Sequence, residues 1–400
     1  MNKRDIKISY TKLRSRLYLK KWFSLLFSPI AILFRVAGFR FSSQGSENRI
    51  GHLIFEPLYM DLRSREDQRF GKRFILLIPF GLTANSYVLE KLPKKFIVIK
   101  NPFLCKLLSP LKSNPFCAIN MESISWGKNK ALEMYKYTHL ISSSRPFLDL
   151  PSRESARFQK LLKDLGISSN GWYVCLHNRE KGYSKYMDDD VTDFRNGSIK
   201  NFLLTVNYIS SLGGTVIRMG DSSMTPFPKT QGLVDYVHSS LKSEENDIFL
   251  SANCRFFLGN TTGANLMAGA QGVPIVGVNL AAMGYCKFWG PNDIGVPKLY
   301  FRESNDKPIP FKEIFESNLA NLYKTYMFNE AGVYLKESTE DEILEAVKQM
   351  FEQLSGKFEE SFFEKELQYK FNNLFNTSNC SFHSQTKISS YFLRKHRNLL

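Results

Sequence analysis

The sequence predicts an alternating α/β fold with parallel sheets, and three observations carry that prediction. Short apolar runs alternate with helix-like stretches, glycines punctuate the ends of those stretches, and polar residues recur just after the runs. The 400 residues suffice for two ordinary domains with a sizeable core. Hydrophobic residues at 43% and charged residues at 23% sit near globular averages, which excludes a wholly disordered chain.

The formal net charge is +16, and its placement is uneven. Before Phe41 stand ten Lys or Arg against one acid, Asp5. Charge confined to one end points to a surface-binding arm, so the expected partner is an anionic membrane surface and not nucleic acid. Residues 22–34 (WFSLLFSPIAILF) follow Lys20 and Lys21 and precede Arg35. They are too few to span a bilayer, which takes about 20 apolar residues. No small-residue cleavage site follows them. Aromatics beside cations favour a helix lying in the interface and broken or kinked at Pro29; the plainer alternative is a helix packed on the protein itself. Residues 42–48 are polar and read as a linker, so 1–48 form an arm and linker. Six cysteines lack any CxxC spacing, which predicts buried reduced thiols without a disulfide framework or zinc site.

Residues 49–151 hold apolar runs at 50–55, 74–79, 96–99, 118–119 and 140–141, read as the strands of a first α/β domain. From Ser152 the pattern is sharper. Residues 153–165 make a helix ending at Gly166, and 172–177 a buried strand. Ile199, Phe202, Leu203, Val206 and Ile209 form a helical stripe that stops at Gly213 and Gly214, before a strand at 215–219. A short third strand is expected at 235–237, then a helix from 247, a strand at 255–258, a small-residue helix at 264–270 and a strand at 274–278. This is the rhythm of a doubly wound parallel sheet. Thr339 and Glu342 have capping-box spacing, and Ile343, Val347, Met350, Phe351 and Leu354 continue as one stripe. Residues 376–400 show little core pattern and read as a poorly ordered basic tail.

Ligands of an open parallel sheet bind beyond the carboxyl ends of its strands. Three such ends in the second half are polar: His177, Asn178, Arg179 and Glu180; Arg218, Gly220 and Asp221; and Asn260, Thr261, Thr262 and Gly263, which lead to Asn265. Small residues let the backbone approach a ligand, hydroxyls donate hydrogen bonds, and a following helix favours phosphate. Arg179 and Arg218 offer guanidinium forks for a diphosphate without a metal. Read singly, each piece has a plainer use: a capped turn, an Arg179–Glu180 pair, a structural His177. Asp188, Asp189 and Asp190 read as a solvated or lid-forming loop. Hydrolase, P-loop and dehydrogenase readings find no GxSxG, Walker A or GxGxxG pattern.

Residues 172–180 (WYVCLHNRE), Arg195, Asn196, 213–223 (GGTVIRMGDSS) and 247–274 resemble a family of bacterial glycosyltransferases found with surface-polysaccharide genes. The stretch 260–278, with Gly272, Val273 and Pro274, is similar to the donor segment of heptosyltransferases. His177 and Arg179 are similar to a fucosyltransferase motif whose arginine contacts the donor diphosphate. The resemblance implies a GT-B fold, two Rossmann-like domains with parallel sheets facing across a cleft. An acceptor domain (49–151) precedes a nucleotide-sugar domain (152–335), with helices at 336–375 crossing back. It implies transfer from a nucleotide-sugar donor to a glycan or lipid-linked glycan, at the inner face of the cytoplasmic membrane, with no metal or other cofactor. His52 or Glu56, after the first strand, would be the base, with Glu180 a rival. Arg179 and Arg218 would hold the diphosphate, the turn at Asn260 the phosphates or ribose, and Asp221 a nucleotide hydroxyl. A sugar-nucleotide epimerase of the same fold and a non-catalytic membrane-bound scaffold are the alternatives.

Overall fold

The computed structural model describes residues 22–42, 48–79, 83–119, 121, 133, 135–142, 145–180 and 189–400, with backbone alone at 189 and 190. The chain divides into two units, Met1–Gly127 and Lys128–Leu400. Each carries a parallel sheet between helices, as the α/β prediction requires.

In the first unit, strands β1 (Phe39–Ser42), β2 (Arg73–Leu77), β3 (Phe96–Ile99) and β4 (Ala118–Ile119) lie in the order β3-β2-β1-β4, all parallel. The arm expected over residues 1–48 therefore supplies a strand to the interior of this sheet. Just before it runs helix α1 (Ser28–Val36), with Pro29 in its first turn. A proline there sacrifices no hydrogen bond, so it starts the helix and does not kink it. Ala31 of α1 is sealed against Phe41, Ile75, Leu77 and Cys105. One face of the expected interfacial helix thus packs on the protein.

The run at 50–55 is a helix, α2 (Ile50–Glu66), and not the expected strand. Its buried Leu53, Ile54, Leu58 and Leu62 recur at helical spacing, but the interposed Pro57 hid that period in a short window. Helices α3 (Ser86–Glu90) and α4 (Pro102–Leu108) follow β2 and β3, each N-capped by an asparagine side chain.

In the second unit, α5 (Ala156–Asp164) precedes the sheet. Its sheet contains β5 (Tyr173–His177), β6 (Thr215–Arg218), β7 (Leu233–Val234), β8 (Phe257–Gly259), β9 (Ile275–Leu280) and β10 (Ile294–Pro297). Taken with the edge strand β14 (Lys387–Ile388), the order is β14-β10-β9-β8-β5-β6-β7, parallel throughout. Counting from β5, the first six strands run 3-2-1-4-5-6, the Rossmann order. Helices α6 (Leu203–Ser211), α7 (Glu244–Asn253) and α8 (Asn265–Gly269) link them. Beyond β10, β11 (Leu299–Arg302), β12 (Lys307–Pro308) and β13 (Val333–Lys336) make a small antiparallel sheet, with α9 (Phe311–Glu316) and α10 (Thr325–Glu330) between its strands. The third strand falls at Leu233–Val234, two residues earlier than expected, and 140–141 is no strand but the end of a 3-10 turn. All six cysteines are free and buried, as expected.

Helix α11 (Glu340–Leu354) has the expected capping box at Thr339 and Glu342. Expected to cross back, it packs on α6, β9 and β10 of its own unit, with α12 (Phe362–Asn372) and α13 (Ser390–Lys395) following. The tail is not poorly ordered. β14 pairs with β10, and Phe392 and Leu393 of α13 are buried. Its polar composition is absorbed by backbone: Ser381, Ser384 and Thr386 donate to the carbonyls of Gly284, Phe288 and Gly290 at 3.0, 2.8 and 3.1 Å. Such pairing depends on distant segments, so no local period announces it.

Glu342 also anchors α13. Its carboxylate accepts from His396 at 2.7 Å and pairs with Lys395 at 2.9 Å. Burial alone would raise its pKa, but these bonds outweigh it and hold the group down at about 2. A lowered folded pKa gives stability that is present above the unfolded value near 4.5 and lost as pH falls toward about 2. Acid titration followed by circular dichroism should show this loss in the wild type, and Glu342→Gln should flatten the dependence across that window.

Candidate functional site

Strand order reverses between β5 and β8, and in open α/β sheets this switch point is where the crevice for a ligand lies. Asn260, the first residue after β8, is fully buried there. Its Oδ1 accepts from the Arg179 backbone N–H at 2.9 Å. Its Nδ2 donates to Asn178 Oδ1 at 3.2 Å and to the Arg195 carbonyl at 3.1 Å. One amide therefore ties the ends of both strands to the 195–197 loop. Gly197 in that loop admits no side chain, because a Cβ would meet Asn279 Nδ2 at 2.6 Å and Asn178 Oδ1 at 2.9 Å.

Arg179 reaches the same loop. Its Nε donates to Asn196 Oδ1 at 3.0 Å and an Nη to Thr192 Oγ1 at 2.6 Å, and the side chain is almost wholly buried. Arg218 goes elsewhere. With no exposed surface, it donates to Glu180 at 2.9 Å, Asp235 at 3.3 Å and the Thr225 carbonyl at 2.6 Å. The expected meeting of Arg179, Arg218 and the Asn260 turn on one phosphate is thus corrected: Arg179 and Asn260 meet, and Arg218 is consumed by two carboxylates. Glu180 is equally committed, since its other oxygen accepts from the Thr225 N–H at 3.2 Å, which leaves it a poor general base.

His177 is buried, and burial, with Arg179 and Arg218 nearby, lowers its pKa to about 4. It is neutral at ordinary pH and lends no charge to a phosphate. Gly220, at φ +148°, sits where a Cβ would strike Met224 Sδ at 2.2 Å, so its place is steric. Asp221 is exposed and accepts from the Ser223 N–H at 2.9 Å, closing a turn.

The remaining members of the set behave differently. Thr261 Oγ1, Thr262 Oγ1 and both amide atoms of Asn265 are buried and find no partner among the described residues. Gly263 lies between them, half-buried. Each orphaned polar group costs about 1–3 kcal/mol, so four such atoms around one turn call for a ligand.

A cation missed in the sequence stands at the same edge. Lys298 directly follows β10, is buried, and donates to the Asn196 carbonyl at 2.6 Å. Among the described residues it has no carboxylate at ion-pair distance. Burial lowers its pKa to about 8, against a smaller rise from Glu337, whose carboxylate is taken up by the Ser198 N–H and Asn201. Only a strand reading of 294–297 would have found it, and the run Ile294, Gly295, Val296, Pro297 is too short to signal one. A cavity of about 220 Å³, lined by Gly272, Pro274, Asn292 and Asp293 among others, lies at the opposite, amino edge of β9 and β10 and is not this site.

In the first unit, His52 and Glu56 lie one turn apart on α2, with Nδ1 facing Glu56 Oε1 at 3.1 Å. The glutamate is buried and the histidine partly exposed. A buried carboxylate holding Nδ1 leaves Nε2 as the basic atom of the neutral ring. Of the three candidate bases, His52 has this geometry. The side chains of Asp188, Asp189 and Asp190 lie outside the described residues.

Two parallel α/β sheets in one chain, the second in Rossmann order with polar residues gathered at its switch point, are the parts from which a GT-B fold is built. No protein-family model matches the chain, and neither does any curated protein sequence. Solved structures of similar outline include a glycosyl transferase family 9 protein from Veillonella parvula, 11% identical over 65% of this chain and 85% of that one, at a TM-score of 0.41. The E. coli heptosyltransferase WaaC with ADP is 12% identical over 80% and 98% of the two chains, at 0.35. The dodecameric iron-containing heptosyltransferase TibC of enterotoxigenic E. coli, with ADP-D-beta-D-heptose, is 13% identical over 64% and 62%, at 0.34. Likenesses at this level transfer no residue role to this chain.

Arg218→Met should act on stability, because it strands Glu180 and Asp235 without their cation. The expected cost is about 3 kcal/mol, read as a lowered urea midpoint. A variant with unchanged stability and lost donor binding would restore Arg218 to the donor set.

Proposed function

We propose that this chain is a glycosyltransferase that moves a sugar from a nucleotide-diphosphate donor to a glycan or lipid-linked acceptor in bacterial surface-polysaccharide synthesis. The observation that carries the reading is the set of orphaned polar atoms of Thr261, Thr262 and Asn265 beside Asn260, at the switch point of a Rossmann sheet. A nucleoside diphosphate matches them in chemistry: two hydroxyls and the amide N–H donate to its phosphate oxygens, and Asn265 Oδ1 can accept from a ribose hydroxyl.

As the bond from the sugar to the β-phosphate breaks, negative charge grows on the departing diphosphate. Donors already fixed in place stabilise that charge without reorganising. Lys298 adds a positive charge under the 195–197 loop, and Arg179 and Asn260 hold that loop to the strand ends. Arg218 acts at one remove, as a positioning residue for the Glu180 end of β5. His52 removes the proton of the acceptor hydroxyl, and Glu56 orients its ring. The basic N-terminal segment holds the enzyme by acidic headgroups at the inner face of the cytoplasmic membrane, at about 1 kcal/mol per cation close to the surface.

Calorimetry against a panel of nucleoside diphosphates and their sugars should find one that binds, and Asn265→Ala should weaken it by about tenfold or more. A panel with no binder, or an Asn265→Ala protein that binds as the wild type does, would sink the reading. A new sugar nucleotide formed without acceptor would instead point to epimerase chemistry.

Donor affinity should also fall as pH rises through about 8, where Lys298 loses its proton, and Lys298→Met should abolish that fall. His52→Ala should lower kcat by about 10²–10⁴ with little change in donor affinity. Glu56→Gln should lower kcat while leaving donor affinity and the thermal melt in place, whereas a merely structural glutamate would lower the melting temperature instead.

A further inference from the structure

We infer that the first unit docks on an anionic lipid bilayer through a composite apolar plate, made by α1 with the residues before it and by the separate helix α4. This deepens the membrane-surface reading of the N-terminal cations, which involved residues before Phe41 alone. It does not depend on the donor site.

The two segments are tied to one core. Ser24 donates to the Ser113 carbonyl at 3.4 Å, Asn114 Nδ2 to the Ser24 carbonyl at 2.6 Å, and Arg35 to the Phe116 carbonyl at 3.4 Å. Ala31 of α1 and Cys105 of α4 share a core cluster, and Phe27 and Leu108 pack on it. With their inner faces so used, both helices should turn polar residues outward. They turn apolar ones: Leu33 is 69% exposed, Val36 81%, Phe103 71% and Leu107 55%, and just before α1 Trp22 is 69% exposed and Leu26 75%. Solvent-facing apolar side chains on two helices that share a core cluster are of the kind that marks an interaction surface.

Charge selects the occupant. From residue 6 to 46, and again from 91 to 121, the sequence contains no Asp or Glu. Arg35 and Lys106 are exposed among the apolar side chains, with Lys112 beside them. Apolar side chains interspersed with cations, on stretches that contain no acid, suit a leaflet of acidic lipid, where aromatic and aliphatic groups enter the headgroup boundary and the cations meet phosphates. Among the described residues no helix is long and apolar enough to cross a membrane, which fits attachment in the plane of the surface.

The test is co-sedimentation of the full chain with phosphatidylcholine vesicles, with and without phosphatidylglycerol, at low and high salt. Three proteins are compared: wild type, Leu26→Ser/Leu33→Ser and Phe103→Ser/Leu107→Ser. All four substituted side chains are exposed, and matching thermal melts confirm intact folding. The wild type should bind phosphatidylglycerol vesicles and keep part of that binding at high salt. Each double variant should partition at least about tenfold more weakly at high salt. Unchanged binding by Phe103→Ser/Leu107→Ser overturns the composite plate. Wild-type binding that vanishes at high salt also overturns it, while sparing the purely electrostatic arm. Sedimentation velocity covers the other occupant: self-association lost in the variants, with vesicle binding intact, would make the plate a dimer face. Donor affinity in solution stays at the wild-type value in every arm, so failure here is distinct from failure of the sugar-transfer reading.

Discussion

The second unit depends on one buried side-chain amide. Asn260 sits where the sheet order reverses, and its three polar partners belong to two different segments of chain. Through Oδ1 it fastens β8 to the backbone after β5, and through Nδ2 it catches the Arg195 carbonyl. A shorter residue would leave these backbone groups buried without partners, and a carboxylate would repel the carbonyl that the amide holds. The polar strand ends stay in register because this bracket fixes them, and Gly197 lets the loop come close enough to be caught.

Around that bracket the cations divide by what surrounds them. Arg218 is neutralised by Glu180 and Asp235 and shapes the end of β6. Lys298 and Arg179 both end on Asn196, and burial keeps the lysine's hold on its proton weak. Residue type said that arginines gather at the strand ends. Which of them is spent internally depends on the carboxylates each one finds, and that is a property of the folded neighbourhood.

The same division explains what was legible in the sequence. β5, β6, β8 and β9 are buried on both faces and bounded by turn residues, so their apolar runs stand out, and the strand-end residues follow by position. The capping box at Thr339 is equally local. What escaped was relational. β14 is two residues long and exists through β10; α2 carries a proline inside it; β1 follows a stretch whose cations suggested an arm. Lys298 escaped because a lone lysine after four residues of strand has no signature. Thr261, Thr262 and Asn265 were found for their size and hydrogen-bonding groups, whereas their lack of partners among the described residues is visible only in three dimensions.

The edge strand β14 has a consequence for how the chain is made. β10 would otherwise close the sheet with a row of unsatisfied N–H and C=O groups, the kind of border that recruits strands from other molecules. Its cover is encoded about ninety residues later, beyond an antiparallel sheet and several helices. A partly synthesised chain therefore carries an adhesive border through much of its growth. Until residues 387–388 arrive, the danger to this protein is its neighbours on the same messenger.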